Sequence, residues 1–420
     1  MRVSMGIGMG IKMENKLNEY AEVIIQVGVN LQRGQTLVLS CPVECADFGR
    51  LIAQEAYEAG AREVVMRWGD DRLTRMKYLQ ADDEIFDEVP NWLKTFYYEY
   101  ADKKAAIVSI SASDPEYLKG VDSDRLRRNS IATGKELKEY QNMQMRNEFP
   151  WCVVSMPTPV WASKVFPEIS GEEAVNELWE AILASVRITG DGSGVAKWQE
   201  HVARLGKRAE IMNEYQFKEL IYKNSLGTDL SVELHEKAKW TGVGEMTKTG
   251  VNFVANMPSE EIFTLPKNSG VNGVIYSSMP LVLDGTLVKD IRFTVKDGRI
   301  SDATASEGLD TLLKKLDVDE GARYFGEIAL VPHKSPISDM GILFYNTLFD
   351  ENASCHFAFG KAYPTFSDTD DLSEDELKAR GANDSFVHVD FMVGTPDLSI
   401  TGVRKDGEAI PVFVDGDFVF

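Results

Sequence analysis

The sequence predicts two domains: an α/β amino-terminal domain with a mainly parallel sheet over residues 1–195, and an α+β carboxy-terminal domain with antiparallel sheet over 196–420. Three observations carry that expectation. The chain has 420 residues, more than one hydrophobic core usually covers. Its first half alternates Val/Ile/Leu runs with amphipathic helical stretches, the pattern of βαβ units. Its second half turns to short alternating strands separated by Asp-Gly pairs. Asp-Gly between such runs favours type I′ hairpins, whose two central residues need positive φ.

Taken in order, apolar residues recur at helical spacing through Leu17, Tyr20, Ala21, Ile24 and Ile25, and LQRGQTLVLS then supplies a turn and a strand. CPVECADFGRLIAQEAYEAGA reads as an amphipathic helix closed by Gly60, and REVVMRW as the next strand. Strand, helix, strand implies parallel pairing. AAIVSISA around Ile107 and WCVVSMPTP around Val153 continue the pattern. No glycine-rich loop follows the strand at 37–39, which removes dinucleotide binding. Gly6, Gly8 and Gly10 have no strand before them, so the start reads as a disordered tail ahead of Met13 and not as a phosphate loop or signal peptide. The polar ITGDGSGVAKWQEH marks a boundary near residue 194, and a helix, WQEHVARLGKRAEIMNEY, follows. Hairpins are then expected at Asp284-Gly285, Asp297-Gly298, Asp406-Gly407 and Asp415-Gly416. The acidic SDTDDLSEDELKARGANDS reads as a solvated loop or lid and lacks the glycine and spacing of a calcium loop.

Composition excludes several classes of function. Lys plus Arg number 45 against 66 Asp plus Glu, a formal net charge of −21, which argues against nucleic acid and anionic membrane surfaces. No apolar run approaches the ~20 residues of a membrane span. Cys41, Cys45, Cys152 and Cys355 make no disulfide framework, and C-x3-C without a second pair is not a zinc ribbon. Reduced thiols fit the cytoplasm.

The chemistry gathers in the last third. From Tyr345 to Tyr363, YNTLFDENASCHFAFGKAY sets Asp350, Glu351, Asn352, His356 and Tyr363 among apolar residues. Upstream, Glu327 heads the apolar run of GEIALVPH; downstream, FVHVDFMVG holds His388 and Asp390 two apart on a strand, so both leave one face. Further back, Glu260 and Glu261 precede another apolar run in NMPSEEIFTLP. A His/Asp pair alone is more simply a satisfied buried pair, but imidazole and carboxylate are also what zinc, cobalt and manganese accept. Three carboxylates and two histidines suffice for two divalent ions, and that many unpaired buried charges would otherwise be prohibitive. His201, His235 and His333 lack such company and read as structural, surface or loop residues.

The NMPSEEIFTLP, GEIALVP, NTLFDENASCHFAFGKAY and HVDFMVG segments resemble the M29 family of metallo-aminopeptidases, the aminopeptidase T and aminopeptidase S family, and the resemblance runs along most of the chain. It implies ligands at Glu261, Glu327, His356, His388 and Asp390 for two divalent ions (zinc, cobalt, manganese or magnesium), with Glu261 preferred to Glu260 by family spacing alone. It implies catalytic roles for Tyr363, as oxyanion donor, and for Glu327, spanning both ions. The implied activity is release of the amino-terminal residue from peptides with a free amino terminus through a metal-activated water, by a cytoplasmic homodimer. Asp350, Glu351 and Glu260 stay open as acceptors of the water's proton. A dinuclear phosphoesterase or a non-catalytic metal-binding scaffold are the rival readings.

Overall fold

The structure, a computed structural model, describes residues 10–112, 114–368 and 372–420. Most of the glycine-bearing start, and residues 369–371 of the acidic segment, lie outside that range.

Four parallel strands form the first sheet: β1 (Thr36–Pro42), β2 (Glu63–Gly69), β3 (Ala106–Ser111) and β4 (Trp151–Ser155), in the order β2-β1-β3-β4. The helix Ala46–Glu58 between β1 and β2 buries Phe48, Gly49, Leu51, Ile52 and Ala56, the one-sided spacing its sequence shows. Gly49 is needed there because a Cβ would stand 2.9 Å from Cys41 Sγ on β1. This α/β region is the predicted one.

The remaining sheets are antiparallel. An eight-stranded sheet runs from Glu219–Lys223 outward on both sides, and a five-stranded sheet joins Thr241–Gly242, Ile262–Thr264, Phe325–Leu330, His356–Gly360 and His388–Met392. The two sheets share one apolar core: Tyr222 meets Phe357 edge to face at 5.2 Å, and Phe293 meets Phe391 at 5.2 Å. Three Asp-Gly pairs, at 284, 297 and 415, turn with positive φ at both residues. Asp406-Gly407 differs. Only Gly407 has positive φ, and Gly407 N–H donates to Arg404 O within a longer loop.

The helix Gly194–Tyr215 serves both halves. Trp198 packs in the core around the parallel sheet, whereas Leu205, Ala209 and Met212 pack in the core between the antiparallel sheets. The first core also takes in Val254, Met257, Phe344 and Phe349, from beyond residue 196. The acidic segment is more than a solvated loop. Ser373 and Glu376 close a capping box on the helix Glu374–Ala379, and Asn383 Nδ2 donates to Gly360 O at 2.5 Å. Among the described residues no helix is long and apolar enough to cross a membrane.

Candidate metal centre

Strand register assembles the site. In the five-stranded sheet Glu327 and Asp390 both pair across from Ala358, and His388 pairs across from Gly360. The HFAFG strand alternates, so Phe357 and Phe359 enter the core while His356, Ala358 and Gly360 share the other face. Small residues under the row leave room for the acidic and imidazole side chains. A register shift between Phe325 and Glu327 re-aims the glutamate where the strand bends. Glu261 arrives from the residue before Ile262–Thr264, which pairs with the same Glu327 strand.

All six residues expected from the sequence line one pocket of about 110 Å³: Glu261, Glu327, His356, Tyr363, His388 and Asp390. His356 Nε2 lies 3.0 Å from Glu261 Oε2 and 3.8 Å from Glu327 Oε1. His388 Nε2 lies 3.6 Å from Glu327 Oε2 and 3.4 Å from Asp390 Oδ1. Glu327 therefore turns one carboxylate oxygen to each histidine, and belongs to two groups able to hold a metal ion, Glu261/Glu327/His356 and Glu327/His388/Asp390.

The histidines are oriented from behind. His356 Nδ1–H donates to Glu351 O (2.9 Å) and Ser354 O (3.0 Å), and His388 Nδ1–H donates to Lys361 O at 2.7 Å. Carbonyls only accept, so Nδ1 carries the proton and Nε2 faces the pocket, the tautomer a metal ligand needs.

Electrostatics set the site's demand. Burial raises the Glu327 pKa, with Asp390 and Glu261 adding to it; burial and then Asp390 lift Glu351 well above the carboxylate range. Burial opposes charge on His356 and His388, but the carboxylates around them outweigh it and raise both. Among the described residues five buried side-chain polar atoms lack a hydrogen-bond partner, and three belong to this pocket: Glu261 Oε2, Asp390 Oδ1 and Trp151 Nε1. Carboxylate oxygens converge here on two imidazole Nε2 atoms whose protons a divalent cation would displace, a donor set of the kind such cations take, so the residues fit a metal.

The structure also separates the candidates that sequence left open. Glu260 turns away to an ion pair with Arg187. Asp350 accepts backbone N–H groups of Phe344 (2.8 Å) and Asn346 (3.0 Å). Glu351 alone of the three lines the pocket. Tyr363 stacks edge to face on His388 (5.4 Å) and Phe263 (5.9 Å), and burial keeps its hydroxyl protonated. Sequence reasoning missed Trp151 and Glu245, which come from distant segments without a local pattern.

The family model for thermophilic metalloproteases (M29) matches residues 13–418. Aminopeptidase 2 of Geobacillus stearothermophilus is 44% identical over 410 residues, 97% of this chain and 99% of that protein. Aminopeptidase AmpS of Bacillus subtilis (strain 168) is 42% identical, over 96% and 98% of the two chains. The solved structure of wild-type AmpT from Thermus thermophilus superposes with a TM-score of 0.88 at 37% identity, covering 97% of this chain and 100% of that one. The chain belongs to the M29 family of metalloproteases and is a hydrolase of the aminopeptidase class.

Proposed function

We propose that the protein removes the amino-terminal residue from peptides, using two divalent ions held by Glu261, Glu327, His356, His388 and Asp390 with Glu327 shared. The observation that carries this reading is the division of the Glu327 oxygens between the two histidines. The ions, zinc or cobalt or another divalent metal, would supply Lewis-acid polarisation of the scissile carbonyl and an acidified water.

The chain's own groups do the rest. Among the described residues Glu245, Glu261, Glu327, Glu351 and Asp390 line the pocket against two histidines and no lysine or arginine. Such a wall favours a cationic chain end and disfavours a phosphate ester. Burial and Asp390 favour the protonated form of Glu351, and the charge of bound cations would reverse that, leaving a carboxylate able to take the water's proton. The Tyr363 hydroxyl donates to the carbonyl oxygen as it becomes anionic, an interaction worth roughly 3–4 kcal/mol. The division into units at 195/196 is kept in this reading, with every ligand in the second. Four buried free cysteines support a reducing, cytoplasmic setting.

A homodimer belongs to the same proposal. The helix Asp71–Gln80 has no buried residue, and its Leu73, Met76 and Leu79 lie exposed at spacings of three, near exposed Trp68 of β2. An apolar face of that kind suits a second copy.

The test is release of single residues from a panel of free and N-acetylated peptides. Activity on free amino termini, lost on chelation and restored by cobalt or zinc, is expected. Equal cleavage of N-acetylated peptides contradicts the exopeptidase reading.

A further inference from the structure

The pocket opens into a second, larger cleft of about 640 Å³, and Trp151, Glu245, Phe263 and Tyr363 line both. The two spaces have opposite charge. Among the described residues the cleft is lined by Arg146, Lys239 and Lys248 against one carboxylate, Glu245, in a chain of net charge −21. Arg146 is engaged by Glu139 and Glu148, and Lys248 stands 3.6 Å from Glu148.

Lys239 differs from both. Its backbone is fixed, the N–H donating to Thr365 O at 2.8 Å and the carbonyl accepting from Thr264 Oγ1 at 3.0 Å. Among the described residues its ammonium makes no ion pair; the carboxylate whose charge it favours from further off is the cleft's own Glu245, which accepts from Asn147 Nδ2 at 2.5 Å. A second, independent feature marks the junction of the two spaces. Trp151 is 7% exposed, and its indole Nε1 is buried without an acceptor among the described residues. A buried donor left unmet loses its hydration without replacement, so a ligand carbonyl there is favoured.

We propose that this cleft seats the part of a short peptide beyond the scissile bond, with the Trp151 indole N–H donating to a peptide carbonyl and the Lys239 ammonium holding the terminal carboxylate. The inference rests on the aminopeptidase reading and deepens it by naming the substrate class: short peptides with both termini free. The acidic pocket meets the α-ammonium and the cationic cleft meets the carboxylate, so one chain direction is favoured.

The test uses the metal-loaded full chain and three substrates: trialanine as free acid, trialanine amide, and alanine p-nitroanilide. In the wild type KM for the acid should lie roughly 10-fold below that for the amide, the lower end of a charge-assisted hydrogen bond. Lys239→Met should bring that ratio to about 1, and Lys239→Arg should restore it. The ratio is internal to each protein, so partial loss of folded material does not alter it. Trp151→Phe should raise KM for both tripeptides relative to the anilide. Equal KM for acid and amide in the wild type overturns the proposal, as does an unchanged ratio in Lys239→Met. Turnover of the anilide, which has no residue to place in the cleft, keeps the aminopeptidase reading standing in that event.

Discussion

Glu260 and Glu261 are neighbours in the chain, both are buried, and each lies near a histidine, yet they join clusters built on different principles. Glu260 meets the Arg187 guanidinium, which also lies over the Trp198 ring at 5.6 Å. Its histidine, His201, accepts from Arg204 Nη2 at Nδ1 (2.8 Å) and donates from Nε2 to Ser259 O (2.7 Å). That ring is neutral, held so by burial and then by Arg187, so its 3.8 Å approach to Glu260 is not an ion pair. Among the described residues Glu261 has no arginine partner. Its Oε2 faces His356 Nε2 at 3.0 Å and points, with Glu327 and His356, at a common space. A buried carboxylate that meets a guanidinium is finished as structure; one whose neighbours are more carboxylates and imidazoles is arranged for a cation from outside.

Substitutions on either side can break or sharpen that contrast. Glu327→Gln removes a carboxylate shared by both ligand groups. Activity should fall at least roughly 10³-fold, an order beyond what loss of a ligand's supporting partner costs, and bound metal should fall with it while circular dichroism stays unchanged. Metal retained at full content would make the pocket resemble the Glu260 cluster after all.

Glu260→Ala should do the reverse. It strands Arg187 without its buried partner, and denaturant titration should show a loss of about 3–5 kcal/mol, with kcat per folded molecule and metal content close to wild type. A larger effect on activity than on stability would erase the distinction.

Tyr363→Phe comes next, at about 10²–10³-fold in kcat, with KM, metal content and thermal stability little changed. Phenylalanine keeps the ring stacked on His388 and Phe263, so steady-state kinetics isolates the hydroxyl. A parallel loss of metal would make Tyr363 a support of the ligands and not an oxyanion donor.

The smallest effect is a pH dependence confined to the structural cluster. The folded protein depresses His201 to about 3, below its unfolded value, so the stability it gives is present above ~6.5 and is lost as pH falls toward 3. Between pH 7 and 5 the wild type should lose about 2 kcal/mol that His201→Gln does not, measured by urea unfolding at each pH. Parallel curves would mean that His201 is not held neutral.

Much of this was legible before the fold was known, for particular reasons. His388 and Asp390 declare a shared face because strand side chains repeat with period 2, and that strand does face the pocket. The Phe/Ala alternation around His356 declares a core face and a small-residue face. Glu260 and Glu261 could not be told apart, because the adjoining strand is only Ile262–Thr264 and what decides between them, Arg187 and His356, is remote in sequence. The cleft of Trp151, Lys239 and Glu245 was invisible for the same reason: three segments with no common periodicity meet only in three dimensions. Asp406-Gly407 carries the hairpin dipeptide, yet the loop is long enough to spare Asp406 the left-handed region. The neighbouring helix Gly194–Tyr215 begins at the polar boundary near residue 194 and then feeds both cores.

The most direct measurement is zinc titration by calorimetry into chelator-stripped protein, with metal analysis of the dialysed product, on the wild type, Glu260→Ala and Glu261→Gln. Two ions per chain are expected for the wild type and for Glu260→Ala, and fewer for Glu261→Gln, since only the second substitution touches the pocket. Two ions retained in Glu261→Gln, or a loss in Glu260→Ala alone, would contradict the assignment of the ligands.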